Sequence, residues 1–291
     1  MTAGAAERVA RVGATLGEGP AWVGGEQALW FVDIKEHRIH RFDPASGALD
    51  RWDAGDQVGW ILPRARGGFL VGLKGGIHSF DPASGSIAPV AAVEPHYPGN
   101  RLNDATTDAA GRIWLGTMDD AEEALTGHFH IFANGALRES GLPPVSITNG
   151  PAFSPDGRTL YHTDTLGRMI YATEAHDDGT LGATRLFARI EDKAGYPDGP
   201  VVDAEGHLWT GLFFGWGVRR YAPDGRLIET VGLPTSNVTK IAFGGPDLRT
   251  AYVTTARKGL DQKALAEQPE AGDLFAFAVD APGLPLTPAA F

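Results

Sequence analysis

The chain has 291 residues, no cysteine, and 25 basic against 36 acidic side chains, for a formal net charge of −11. This length buries a sizeable core in one large domain or two small ones. A pI near 5.2 argues against a nucleic-acid or anionic-membrane surface, and the lack of cysteine removes disulfides, thiolate metal sites and Cys nucleophiles together.

No apolar run approaches the roughly 20 residues of a membrane span, and residues 1–13 lack the apolar core of a secretory signal. A cytoplasmic monomer is therefore expected. Glycine is unusually frequent, 39 of 291, about twice the common share. Spread evenly with 20 prolines, it predicts many short strands and tight turns.

In chain order, residues 8–14 read as a strand with no unit of their own. A repeating unit of turn, glycine and apolar strand then begins at Gly24-Gly25, leading into Leu29-Trp30-Phe31-Val32-Asp33. It returns at Gly67-Gly68-Phe69, Gly111-Arg112-Ile113-Trp114, Gly157-Arg158-Thr159-Leu160-Tyr161, Gly206-His207-Leu208-Trp209 and Asp247-Leu248-Arg249. Anchored at 25, 68, 111, 157, 206 and 247, the units are 41–49 residues apart. A second motif interleaves with the first, most clearly as Arg41-Phe42-Asp43-Pro44-Ala45-Ser46-Gly47 and Ser79-Phe80-Asp81-Pro82-Ala83-Ser84-Gly85. Only residues 260–271 look briefly helical, and a short Pro-rich tail follows Val279. Six such units predict an all-β, six-bladed β-propeller spanning residues 1–291 as one domain, with the N-terminal strand completing the last blade.

Familiar catalytic motifs are missing. There is no G-x-S-x-G, no H-E-x-x-H and no complete EF-hand loop. Gly17-Glu18-Gly19 precedes proline and a strand rather than a helix, so it is no phosphate loop. His128 and His130 share one strand face and are expected to be solvent-facing rather than metal ligands.

A different pattern carries chemistry. Eight residues before three of the anchors stand Asn103, Asn149 and Asp198, and seven before another stands Glu18. The remaining two blades place Trp60 and the Thr239-Lys240 pair near this level. Singly, Asn149-Gly150 and Pro197-Asp198-Gly199 are ordinary turn sequences. At a constant offset in a propeller, however, four oxygen-bearing side chains could converge on the channel. Two carboxylates with amide oxygens make a hard-ligand site for a divalent cation, and they would repel one another without one. Calcium, magnesium, manganese, iron(II) and zinc all suit such ligands.

Five ordered motifs resemble the gluconolactonase/regucalcin (senescence marker protein) family of sugar-lactone hydrolases: Leu16-Gly17-Glu18-Gly19-Pro20, Arg101-Leu102-Asn103-Asp104, Gly116-Thr117-Met118, Ile147-Thr148-Asn149-Gly150-Pro151 and Tyr196-Pro197-Asp198-Gly199. Finer stretches, such as Trp30-Phe31-Val32-Asp33-Ile34-Lys35 and Tyr161-His162-Thr163-Asp164-Thr165, look like its bacterial xylonolactonase branch. The resemblance implies a six-bladed propeller holding one divalent cation. It implies Glu18, Asn149 and Asp198 as metal ligands, Asp198 also as general base, and Arg101 and Asn103 as substrate contacts. The family's acidic contact after Gly-Thr-Met falls on Ala121, leaving Asp119 or Asp120 to substitute; a solvated acidic loop is the other reading of that run.

The implied reaction is hydrolysis of an aldonolactone to its aldonic acid, with Asp198 taking a proton from water and Arg101 holding substrate hydroxyls. Alternatively, Arg101 pairs with a rim carboxylate such as Asp104 or Asp119. Two rival functions are weighed: a propeller hydrolase of other lactones or organophosphates, which would want an apolar funnel, and a non-enzymatic calcium-binding or interaction propeller.

Overall fold

The computed structural model describes residues 3–291. Six four-stranded antiparallel sheets follow one another as blades. Their inner strands are Gly17–Val23, Val58–Pro63, Asn100–Thr107, Thr148–Phe153, Tyr196–Val202 and Val238–Gly244. Each inner strand packs on the next, and the sixth packs back on the first. The fold is therefore the six-bladed propeller, with blades 3 and 6 facing each other across the axis. Closure is as expected: Glu7–Ala10 pairs antiparallel with Leu274–Ala278 as the outer strand of blade 6. The helix is a short one, Gln262–Glu267, capped by Asp261.

The repeat explains the blades. The hairpin leading into the second strand is built alike three times, with a tryptophan indole N–H donating to a carboxylate: Trp30 to Glu26 at 3.1 Å, Trp114 to Asp108 at 2.8 Å and Trp209 to Asp203 at 2.9 Å. Asp108 and Asp203 also accept backbone N–H groups of their own turns, so a buried polar group is satisfied while a large ring enters the core. The inner strands are buried almost throughout, whereas outer strands such as Ala48–Asp53 are largely exposed. Burial on both faces follows because each blade lies between two others. Six apolar clusters fill the six interfaces, for example Trp30, Val71 and Phe80 between blades 1 and 2 and Trp209, Phe243 and Phe275 between blades 5 and 6.

One irregularity recurs in every blade. The pairing of the inner strand slips between Glu18 and Ala21, Val58 and Trp60, Leu102 and Ala105, Asn149 and Ala152, Pro197 and Pro200, and Val238 and Ile241. Regular strand side chains face the neighbouring blades. A bulge bends the strand and re-aims its residues, here towards the axis.

The tail after Val279 crosses the far end of the channel. Pro282 accepts from the Ala204 N–H, Gly283 donates to Leu248, Ala289 donates to Pro63 and Ala290 donates to Gly111, at 2.8–2.9 Å. Leu284, Pro285, Leu286 and Thr287 help line a cavity of about 370 Å³ inside that end.

Candidate active site

The residues expected at one level lie where the strands slip. Glu18, Asn103, Asn149 and Asp198 are all buried, at 2–6% exposure. Glu18 Oε2 accepts the Gly19 N–H at 3.0 Å and Asp198 Oδ1 accepts the Gly199 N–H at 2.9 Å. Among the described residues nothing donates to the second oxygen of either carboxylate. Asn149 spends its amide nitrogen on Thr165 Oγ1 at 2.8 Å, leaving its Oδ1 as an acceptor; Asn103 Nδ2 approaches that oxygen at 3.3 Å and Thr148 O at 2.7 Å.

The two carboxylates are held far from their ordinary state. Burial, then the charges of Asp198 and Asp104, push Glu18 well above the usual carboxylate range. Burial, then Asp104, push Asp198 up to about 7. The positive charge of Lys240 offsets this only in part. Among the described residues no three His, Cys, Asp or Glu side chains gather to hold a metal, so a cation here would need an amide oxygen as its third protein donor. Asn149 Oδ1 supplies one. Two carboxylate oxygens free of hydrogen bonds and one amide oxygen suit a hard divalent cation, whose charge would favour the ionised carboxylates.

Arg101 is buried beside them. Its Nε donates to Asp120 Oδ1 at 3.0 Å and its Nη1 to Asn103 Oδ1 at 2.7 Å and Leu102 O at 3.2 Å. Its Nη2 carries no hydrogen bond to described residues. The carboxylate partner is thus Asp120, not Asp104 or Asp119. Asp120 is also gripped by Lys35 Nζ at 2.5 Å and Gln57 Nε2 at 2.8 Å. Burial raises its pKa, but the hydrogen bonds from Gln57 and Lys35 and the charge of Arg101 outweigh this and bring it down to about 2. Asp119 does something else: it accepts the N–H groups of Ala121, Glu123 and Ala124, folding its own loop.

Not every residue at this level joins the site. Trp60 is fully buried in the core between blades 2 and 3, and Thr239 ties blade 6 to blade 1 by donating to Gly17 O at 2.7 Å. One of the two histidines departs from expectation. His130 is 4% exposed and meets Glu94 Oε1 at 2.8 Å, while His128 Nδ1 lies 3.2 Å from the same oxygen. His130 faces a buried carboxylate rather than solvent, whereas His128 stays partly exposed.

Over most of its length, residues 16–257, the sequence matches the family model described as the SMP-30/Gluconolactonase/LRE-like region. The chain belongs to this family. It is 36% identical to 6-deoxy-6-sulfogluconolactonase of Pseudomonas putida, covering 94% of this chain and 95% of that one. It is also 36% identical to L-arabinolactonase of Azospirillum brasilense, covering 94% and 91%. A crystal structure of a calcium-binding protein, regucalcin, from Agrobacterium tumefaciens superposes with a TM-score of 0.95 at 29% identity, over 99% of this chain and 98% of that one.

Within this family member, Asp104, Lys240, Lys258 and Glu122 complete the surroundings. Lys240 donates to Asp104 across the axis, and Lys258 of blade 6 pairs with Glu122 of blade 3. Asp104 and Lys240 stand one residue after the constant-offset position in their strands, which is the signal that could have marked Asp104. Lys35, Gln57 and Lys258 lie on loops between strands, where the repeat carries no such signal.

Proposed function

We propose that this chain hydrolyses an aldonolactone to the open aldonic acid, with one divalent cation held by Glu18, Asn149 and Asp198. The chain is a sugar-lactone hydrolase; a xylonolactone- or gluconolactone-type substrate is the finer reading. The observation that carries it is the pair of buried carboxylates, each with an oxygen free of hydrogen bonds, beside a buried arginine with an unused donor. When bound, a divalent cation supplies Lewis-acid stabilisation of negative charge developing on a carbonyl oxygen.

The chain's own residues do the rest. Asp198, with one carboxylate oxygen accepting the Gly199 N–H and the other free of hydrogen bonds, would accept the proton from the attacking water. Arg101 Nη2 donates to a substrate hydroxyl or ring oxygen, and Asn103 fixes the guanidinium through its Oδ1. Asp120, already bonded three times, orients Arg101. This density of donors favours a polyhydroxylated lactone over a lipophilic ester or organophosphate.

The test is a panel of pentono- and hexonolactones run on metal-analysed protein, before and after chelation. Turnover lost on chelation and restored by added metal is expected. Glu18→Gln should weaken metal binding and recover activity partly at high metal concentration. A protein that binds calcium yet turns over no sugar lactone would instead favour a binding propeller.

A further inference from the structure

The channel is crossed by an ion pair. Asp104 and Lys240 come from blades 3 and 6, on opposite sides of the axis, and both are buried, with 1% and 8% of their side chains exposed. Each stands at the slip of its inner strand, one residue beyond the level of Asn103 and Thr239.

The surroundings are shaped to admit this pair. Asp104 Oδ2 accepts the Gly150 N–H at 2.9 Å, and its Oδ1 accepts the Ala105 N–H at 2.8 Å. The Lys240 stem lies over Gly199, where a Cβ would stand 2.6 Å from Cγ and Cδ. Any side chain there would displace the lysine. The carboxylate and the lysine stem therefore pack on Gly150 and Gly199, the residues next in sequence to Asn149 and Asp198. Lys240 also lines the lower cavity, which Glu18, Asn149 and Asp198 do not. The pair is the floor that divides the channel.

A floor of this kind has an electrostatic consequence. Three buried carboxylates, Glu18, Asp104 and Asp198, share the channel. If Asp104 were unpaired it would present a third anionic charge to a bound cation; if Lys240 were unpaired it would act as a rival cation. We propose that the Asp104–Lys240 pair is a positioning element that sets the charge of the cation site, keeping Asp104 out of the ligand shell so that the cation meets two carboxylates rather than three. This rests on the cation site proposed above.

The inference predicts opposite signs for two single substitutions, which a merely structural role would not produce. Affinity for calcium is measured by titration calorimetry on the metal-stripped full chain, with thermal unfolding as the check on folding. Lys240→Gln, which leaves Asp104 charged, should tighten calcium binding at least about tenfold. Asp104→Asn, which leaves the ammonium uncompensated, should weaken it at least about tenfold, since charges a few ångströms apart in a partly buried site interact strongly. The double variant, whose two amides can hydrogen-bond, should return to within about threefold of the unmodified protein. If either single variant unfolds, the double variant against the remaining single one still reads the sign. Shifts in the same direction, or below twofold in folded protein, would overturn the floor's role while leaving the ligand assignment standing. Absence of calcium binding by the unmodified protein would overturn both.

Discussion

The two halves of the channel are made from the same six strands and could hardly differ more. At the slip and just above it lie Glu18, Asn149, Asp198 and Arg101, buried and charged or polar. Below it lie Trp22, Leu62, Ala152, Val202, Ile241 and Phe243, buried and apolar, around a cavity closed by the C-terminal tail. The difference teaches where a propeller can afford chemistry. In regular strand, side chains face the adjacent blades and must be apolar to pack. At the bulge they turn to the axis, where there is room for polar groups and ligands. The upper half therefore carries the charge, and the lower half is packing.

The largest expected effect sharpens the upper half. Asp198→Asn keeps the shape and an oxygen donor but removes the proton acceptor, so kcat should fall about 100- to 10,000-fold with the unfolding midpoint preserved. Near-native kcat at native metal content would remove Asp198 from the reaction.

Ile241→Ala probes the lower half in the opposite sense. Ile241 is 1% exposed and packs among Trp209, Val238 and Phe243. Its truncation should cost about 2–5 kcal/mol of stability, read by denaturant unfolding, with kcat/KM changed no more than a few-fold at 25 °C. A large activity loss in the folded variant would break the division between the halves.

Arg101→Ala returns to the upper half with a finer question. On an aldonolactone kcat/KM should fall about 10- to 100-fold, the worth of one or two charge-assisted hydrogen bonds. An unsubstituted lactone of the same ring size should lose little, since it offers no hydroxyls to bind. Equal losses on both substrates would reduce Arg101 to the partner of Asp120.

The smallest effect lies away from the axis, at a charge pair in water. Glu191 is paired with Arg219, but 62% of its side chain is exposed. The hydrogen bonds from Arg219 bring its pKa down to about 2. A depressed carboxylate stabilises the fold above its ordinary pKa and loses that contribution as pH falls through the folded value. Glu191→Gln should therefore cost less than about 1 kcal/mol at pH 7, because solvent screens the pair, and the gap from the unmodified protein should shrink between about pH 4.5 and 2. A cost as large as that of Ile241→Ala, measured by urea unfolding, would contradict the contrast between exposed and buried groups.

Much of this was legible beforehand because a repeat reports position. Glycine anchors at 41–49-residue intervals give blade number, and a constant offset gives height, so Glu18, Asn103, Asn149 and Asp198 could be placed at one level without coordinates. Trp60 shows the limit: it holds the same offset, yet its ring goes into the interface with blade 3, because bulk apolar surface gains more from the core than from the channel. Asp119 and Asp120 show another. Adjacent in sequence and alike in chemistry, they part only where one meets loop N–H groups and the other meets Arg101, Lys35 and Gln57.

The sequence by itself determined the blade count, the closing strand and the height of the site, since these depend on local period: turn glycines, apolar strands and their spacing. Tertiary structure alone decided which charges meet. Asp104 and Lys240 are 136 residues apart, as are Glu122 and Lys258. Both pairs join blades 3 and 6, which become opposite only when six units close into a ring. No local pattern encodes a contact across the axis, because the axis does not exist until the last blade is shut.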